Sequence, residues 1–180
     1  MRNIACFFAI LAFASTGVSA QDLTQSIGVG GSLAIGYALG YTPLPGLASE
    51  LDYDFSYDFS DTFALSLGVA LSWQGRTAMA GEGYYYRGFY EFAGLIQGRI
   101  TLPFSFFDLP LSIDVGGGGA VGLYEHSSLL FFYPLVRLDP NVLVRLGESA
   151  ALRLSAPFDL RFQYDLFRCN IGLLCAYEWK

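Results

Sequence analysis

From residue 27 onward, large apolar and small residues alternate. Odd positions through residue 41 are Ile27, Val29, Gly31, Leu33, Ile35, Tyr37, Leu39 and Tyr41, and even positions are Gly28, Gly30, Ser32, Ala34, Gly36, Ala38 and Gly40. Successive side chains of a strand point to opposite faces, so this segment reads as a strand with one bulky apolar face and one small face. The next segment sharpens the contrast. Leu47, Leu51, Tyr53, Phe55, Tyr57 and Phe59 fall on one face, and Ala48, Glu50, Asp52, Asp54, Ser56, Asp58 and Ser60 on the other. A helix has a period of 3.6 and cannot produce this pattern. Thr42-Pro43-Leu44-Pro45-Gly46 punctuates the two strands, and Ser60-Asp61-Thr62 makes the following turn.

The alternation continues to the end of the chain. A third strand covers 63–73, with Phe63, Leu65, Leu67, Val69, Leu71 and Trp73 on its apolar face. A fourth covers 84–102, with Tyr86, Tyr90, Phe92, Ile96, Ile100 and Leu102 facing one way and Arg87, Glu91, Gln97 and Arg99 the other. Residues 103–110, bounded by two prolines, read as a connection. A fifth strand, 111–124, carries Asp114 and the run Gly116 to Gly119. A sixth, about 132–146, sets Val136, Leu138, Val142 and Val144 against Arg137, Asp139, Asn141 and Arg145. A seventh begins at Ala150 and sets Leu152, Leu154, Phe158, Leu160, Phe162 and Tyr164 against Arg153, Asp159, Arg161 and Gln163. The last strand ends the chain with Ile171, Leu173, Cys175, Tyr177 and Trp179 in phase. The expected architecture is all-β, an eight-stranded antiparallel up-and-down barrel, and an even count brings both chain ends to one side.

Composition decides which face is outside. Charged residues make up 14% of the chain, where about 25% is usual. Aromatics reach 17% and mean hydropathy is +0.42. No apolar stretch after the first twenty residues approaches the ~18 that a membrane helix needs. If the apolar face pointed inward, the interior of an eight-stranded barrel would have to hold Tyr53, Phe55, Tyr57 and Phe59 from one strand alone, and it has no such volume. With that face turned to lipid, the glycines, alanines and charges line a small interior. Tyr41, Tyr57, Phe59, Phe63, Trp73, Tyr177 and Trp179 then fall near strand ends as interfacial aromatics. The competing arrangement is a soluble secreted ligand-binding β-barrel or sandwich.

Residues 1–20 read as a cleaved signal peptide: Arg2, the uncharged run from Ile4 to Ala14, and the small-x-small site Val18-Ser19-Ala20. The barrel then occupies residues 21–180. Without Arg2, nine basic residues face sixteen acidic ones, a net charge of −7, which argues against a nucleic-acid partner. Signal, alternation and aromatic-rich last strand together resemble the small bacterial outer-membrane barrels of the OmpA, OmpX and OmpW type. That resemblance implies the cell outer membrane as location. It implies outer-membrane lipid and the β-barrel assembly machinery as partners. Those proteins usually end on Phe or Trp, whereas here Trp179 is followed by Lys180.

The small-residue phase also carries the charges Glu50, Asp52, Asp54, Asp58, Arg87, Glu91, Arg99, Asp114, Arg137, Asp139, Arg145, Arg153, Asp159 and Arg161. Acids dominate the second strand, and arginines the sixth and seventh. Two readings follow. The charges pair across the lumen and plug it, since buried charge must be paired. Otherwise they line a narrow path for ions or small solutes, helped by space that strand one and Gly116 to Gly119 leave unfilled, although those small residues equally fit bulges or tight curvature. The expected function is structural, surface-interacting toward surface ligands, or a narrow channel. One constellation has the flavour of catalysis: Glu125-His126-Ser127-Ser128. On a strand, His126 and Ser128 would share a face and Glu125 could orient the imidazole for acyl transfer, whereas residues 125–131 otherwise read as a polar surface loop that happens to contain a histidine. The His-x-Ser spacing is similar to that of outer-membrane lipid A deacylases, which implies an acyl-ester hydrolase as an alternative. Leu129 stands where those enzymes usually have Asn. Cys169 and Cys175 sit roughly 20 Å apart if both are on the last strand, and can bridge only if Cys169 lies in a loop. No cofactor or metal motif is present in the sequence.

Overall fold

The structure is a computed structural model that describes residues 23–38, 44–74, 88–124, 130–163 and 166–180. Its strands are β1 (Leu23–Ala38), β2 (Leu44–Ser60), β3 (Phe63–Gln74), β4 (Phe89–Phe106), β5 (Leu109–Tyr124), β6 (Leu130–Arg145), β7 (Ala150–Ser155), β8 (Phe158–Gln163) and β9 (Leu166–Trp179). Each pairs antiparallel with its neighbour, and β9 returns to pair with β1. The sheet therefore closes on itself.

Nine strands occupy eight places in the ring. β7 and β8 both lie between β6 and β9, and they are two halves of one strand interrupted at Ala156-Pro157. Asn141 faces Ser155 before the break and Leu138 faces Phe158 after it, so the register does not slip. The ladder crosses the break through Ala156 N–H to Pro140 O (3.0 Å) and Gly172 N–H to Pro157 O (2.9 Å). Pro157 lacks only the donor, and its carbonyl is used.

Apolar side chains face out and small or polar ones face in. Along β3, Phe63, Leu65, Leu67 and Leu71 are exposed while Ala64, Ser66, Gly68 and Ala70 are buried. Val29, Ile96, Val136, Ile171 and Leu173 lie on the same exterior, and Glu50, Asp52, Asp114 and Arg137 are inside. A soluble barrel would reverse the two sets, so the exterior belongs to lipid and the chain is a transmembrane barrel.

Two connections differ from the sequence expectation. Residues 103–110 are not a loop: β4 runs on to Phe106, β5 starts at Leu109, and the turn is only Phe107-Asp108. Both turn residues have positive φ, 49° and 63°, the backbone hand that matches strand twist in a two-residue hairpin. Pro103 falls in the register shift between Thr101 and Ser105, where a bulge tolerates a missing donor. Leu44 to Gly46 likewise belong to β2, with Pro45 opposite Ile35. The short turns 61–62, 107–108 and 146–149 share one end of the barrel with residues 23 and 180, the arrangement of a periplasmic end.

Candidate functional site: the lumen

Among the described residues, five arginines and eight carboxylates lie inside the ring. Arg137 on β6 is 3% exposed and gathers three acids. Its Nε and Nη2 donate to the two oxygens of Asp159 at 2.7 and 2.9 Å. Its Nη1 donates to Asp52 at 2.7 Å, and its Nη2 also donates to Glu50. β2 and β6 lie four places apart in a ring of eight, so this contact spans the full diameter.

Asp159 passes the network on to Arg161 (3.0 Å), whose Nε reaches both oxygens of Glu91 at 2.8 and 3.0 Å. Glu91 also accepts from Arg168 and from the Tyr133 hydroxyl. The Arg168 guanidinium stands 4.4 Å over the Phe89 ring. A second group is built on Arg99 and Arg153. Arg99 holds Asp114 through two bonds of 2.9 and 3.0 Å and reaches Glu178 at 3.3 Å. Arg153 donates to Asp54 (2.6 Å), Asp114 (3.2 Å) and Ser26 (3.2 Å). Arg99 on β4 and Glu178 on β9 again face each other across the diameter. Bonds of this charge-assisted, partly bidentate kind fix side-chain positions as well as neutralise them.

The expected lumen charges thus divide. Glu50, Asp52, Asp54, Glu91, Arg99, Asp114, Arg137, Arg153, Asp159 and Arg161 are joined in the two groups. Asp139 is buried beside them, directly across the ladder from Asp114, but makes no ion pair among the described residues, and its Oδ1 has no partner. Asp58 stands at the short-turn mouth, 3.6 Å from the Lys180 ammonium. Arg145 is exposed at that mouth rather than inside, because β6 ends there. Arg87 lies outside the described residues. So do Tyr41, Glu125, His126 and Ser128. Of the other aromatics read as interfacial, Tyr57 packs edge-on to Phe59, Phe59 lies against Phe63, and Tyr177 stacks on Trp179 at 5.8 Å, all near strand ends. Trp73 and Tyr90 are ladder partners at the opposite end.

Arg168, Asn170, Glu178 and Tyr133 were not among the expected lumen residues. The first three occupy the even phase of β9, opposite the apolar phase Ile171 to Trp179, so their alternation was the available signal. Tyr133 shares the phase of Arg137 and Asp139. It joins an apolar cluster inside the barrel with Phe89, Leu95 and Leu135. The interior is therefore fuller than small side chains and ion pairs alone suggest. In the Gly116 to Gly119 run, the two inward glycines lie tight against the neighbouring strand. A Cβ at Gly116 would collide with the Ile96 carbonyl and one at Gly118 with the Gly94 carbonyl, so the glycines permit close strand approach. A vestibule of about 820 Å³ opens at the short-turn end, with Arg99 and Glu178 in its wall.

Cys169 and Cys175 are free, both on β9 with an outward phase. Among the described residues no group of three or more His, Cys, Asp or Glu side chains could hold a metal.

No protein-family model matches the chain, and no curated protein matches it. Solved structures do. The attachment invasion locus protein Ail of Yersinia pestis matches at TM-score 0.52 and 12% identity, over 87% of this chain and 98% of that one. A second Ail structure, in complex with the heparin analogue sucrose octasulfate, matches at TM-score 0.54 and 12% identity, over 88% and 99%. Neisserial surface protein A matches at TM-score 0.56 and 7% identity, over 84% and 95%. The fold is that of the small eight-stranded outer-membrane β-barrels.

Proposed function

We propose that this chain is a closed outer-membrane barrel: a rigid membrane scaffold with a structural or surface-interaction role, and not a channel. The observation that carries this reading is the pair of struts across the lumen, Arg137 to Glu50 and Asp52, and Arg99 to Glu178. A solute passing through would have to displace buried guanidinium–carboxylate bonds, and an uncompensated buried charge costs about 3–5 kcal/mol. The apolar cluster of Phe89, Tyr133 and Leu135 narrows the same lumen. The similar structures carry names that speak of attachment and of the surface, which supports a role at the cell surface. In this reading the partners are outer-membrane lipid around the exterior, the assembly machinery during insertion, and ligands met by the end opposite the short turns.

The test is planar-bilayer conductance of the refolded residues 21–180, with heat-modifiable migration as proof of folding. The expected result is a silent bilayer for the parent and discrete openings for Arg137→Ala combined with Arg99→Ala. Reproducible openings in the parent that change when Arg137 or Asp54 is neutralised would establish the channel reading instead.

A further inference from the structure

The apolar exterior has a measurable height. Trp73 and Tyr90 are ladder partners at one edge, and Phe63 and Ile100 at the other, ten residues further along each strand. At about 3.3 Å per residue and a tilt near 40°, ten residues rise roughly 25 Å, the height of a lipid-facing band. β4 does not stop at that edge. It continues to Phe106, turns at Phe107-Asp108 and returns as β5 from Leu109.

The overrunning hairpin is apolar. It contains Leu102, Pro103, Phe104, Phe106, Phe107, Leu109 and Pro110, and Asp108 is its one charged residue. Phe104, Phe106 and Phe107 are 58%, 57% and 83% exposed, and the last two rings pack edge-on at 4.5 Å. Phe104 and Phe106 have the parity of Ile96 and Ile100 but lie beyond the register shift, where residues 103–106 are all exposed, so apolar side chains carry on past the band edge while the in-and-out alternation ends. Ser105 pairs with Pro110 and Phe106 with Leu109, while β3 reaches only Ile100 and β6 only Leu111. Prolines on both arms deny donors to any incoming strand, which disfavours capture of a partner by edge pairing. The register shift at Thr101 to Ser105 marks a bulge, and a bulge bends its strand.

We propose that the β4–β5 hairpin is a lipid anchor, seated in the boundary between headgroups and acyl chains of the leaflet at the short-turn end. The hairpin extends two strands whose outer faces meet lipid and stays apolar past the band edge, which selects lipid over a soluble partner, and the bulge supplies the bend that lays it against the membrane. Phenylalanine supplies apolar area suited to that depth. This inference rests on the transmembrane fold and is independent of whether the lumen conducts.

The reporter is Phe107→Trp in a Trp73→Phe, Trp179→Phe background, refolded into phosphatidylcholine vesicles carrying bromine at a shallow or a deep acyl position. Phe104→Trp in the same background is the second reporter, and heat-modifiable migration confirms each barrel. The expected result is blue-shifted emission that shallow bromine cuts roughly by half or more, with weaker quenching by deep bromine. Emission at the wavelength of water-exposed indole in both reporters, quenched by aqueous iodide and indifferent to bromine, would overturn the proposal. That outcome would place the hairpin phenylalanines in the aqueous phase, clear of the bilayer.

Discussion

Glycine occurs on both faces of this barrel, for opposite reasons. Inside, a Cβ at Gly68 would strike Asp54 Oδ1, and one at Gly122 would strike the Phe89 ring. Outside, Gly94 and Gly119 are ladder partners, and a Cβ on either would meet nothing within 4 Å. The inner glycines are small because something else needs the room. Asp54, for instance, occupies that space while bound to Arg153. The outer glycines are small because lipid, which is fluid, fills whatever the wall leaves. The lumen is thus a protein interior with fixed places, and the exterior is a surface with few.

The difference is broken most severely by removing the central cation. Arg137→Met keeps much of the volume but leaves Glu50, Asp52 and Asp159 without their shared partner. Of these, Asp159 keeps Arg161, while Glu50 and Asp52 keep no direct ion pair among the described residues. The expected loss is about 3–5 kcal/mol, read by urea unfolding of the refolded barrel in vesicles. A loss below about 1 kcal/mol, the scale of an exposed pair, would show the lumen to be wet.

The exterior gives the next largest effect, and it should depend on depth alone. Ile96 lies near the middle of the band between Tyr90 and Ile100, and Leu146 lies in the short-turn connection; both are exposed. Ile96→Arg is expected to cost about 2–4 kcal/mol and Leu146→Arg about 0–1. Equal costs in the same unfolding measurement would contradict a lipid-facing exterior.

Much of this architecture was readable from the chain, and the reason is lipid. Because the solvent outside is uniformly apolar, residues such as Tyr53, Phe55, Leu65 and Leu67 keep strict phase, and the charges fall on the other face. What phase cannot give is partnership. Arg137 and Glu50 are 87 residues apart, and they meet because ring closure places β2 opposite β6. Local signals misled where barrel geometry overruled them. Pro103 and Pro110 punctuate the sequence, yet one sits in a bulge and the other on a hairpin arm past the reach of β6, so neither missing donor ends a strand. Gly116 to Gly119 left two readings open, unfilled space or tight curvature, and two of those positions are pressed against carbonyls of β4. The hydrolase residues Glu125, His126 and Ser128 fall outside the described residues, so the fold adds nothing to that reading.

The finest test of the two faces is a single methyl group. Gly68→Ala places a Cβ where Asp54 Oδ1 now lies, and Asp54 cannot yield freely because it holds Arg153 at 2.6 Å and accepts from Ser26 at 3.3 Å. Overpacking of a filled site costs about 1–3 kcal/mol, and here the strain would pass into the Arg153 group. Gly94→Ala adds the same methyl one strand away to open exterior, where the expected change stays within about 0.5 kcal/mol. Alanine also relieves some of the entropy that glycine loses in a strand, so the outer variant can gain while the inner one loses. A pair of denaturation midpoints would decide it. If Gly68→Ala proved as harmless as Gly94→Ala, Asp54 would have room to move, and the lower part of the lumen would be looser than its ion pairs imply.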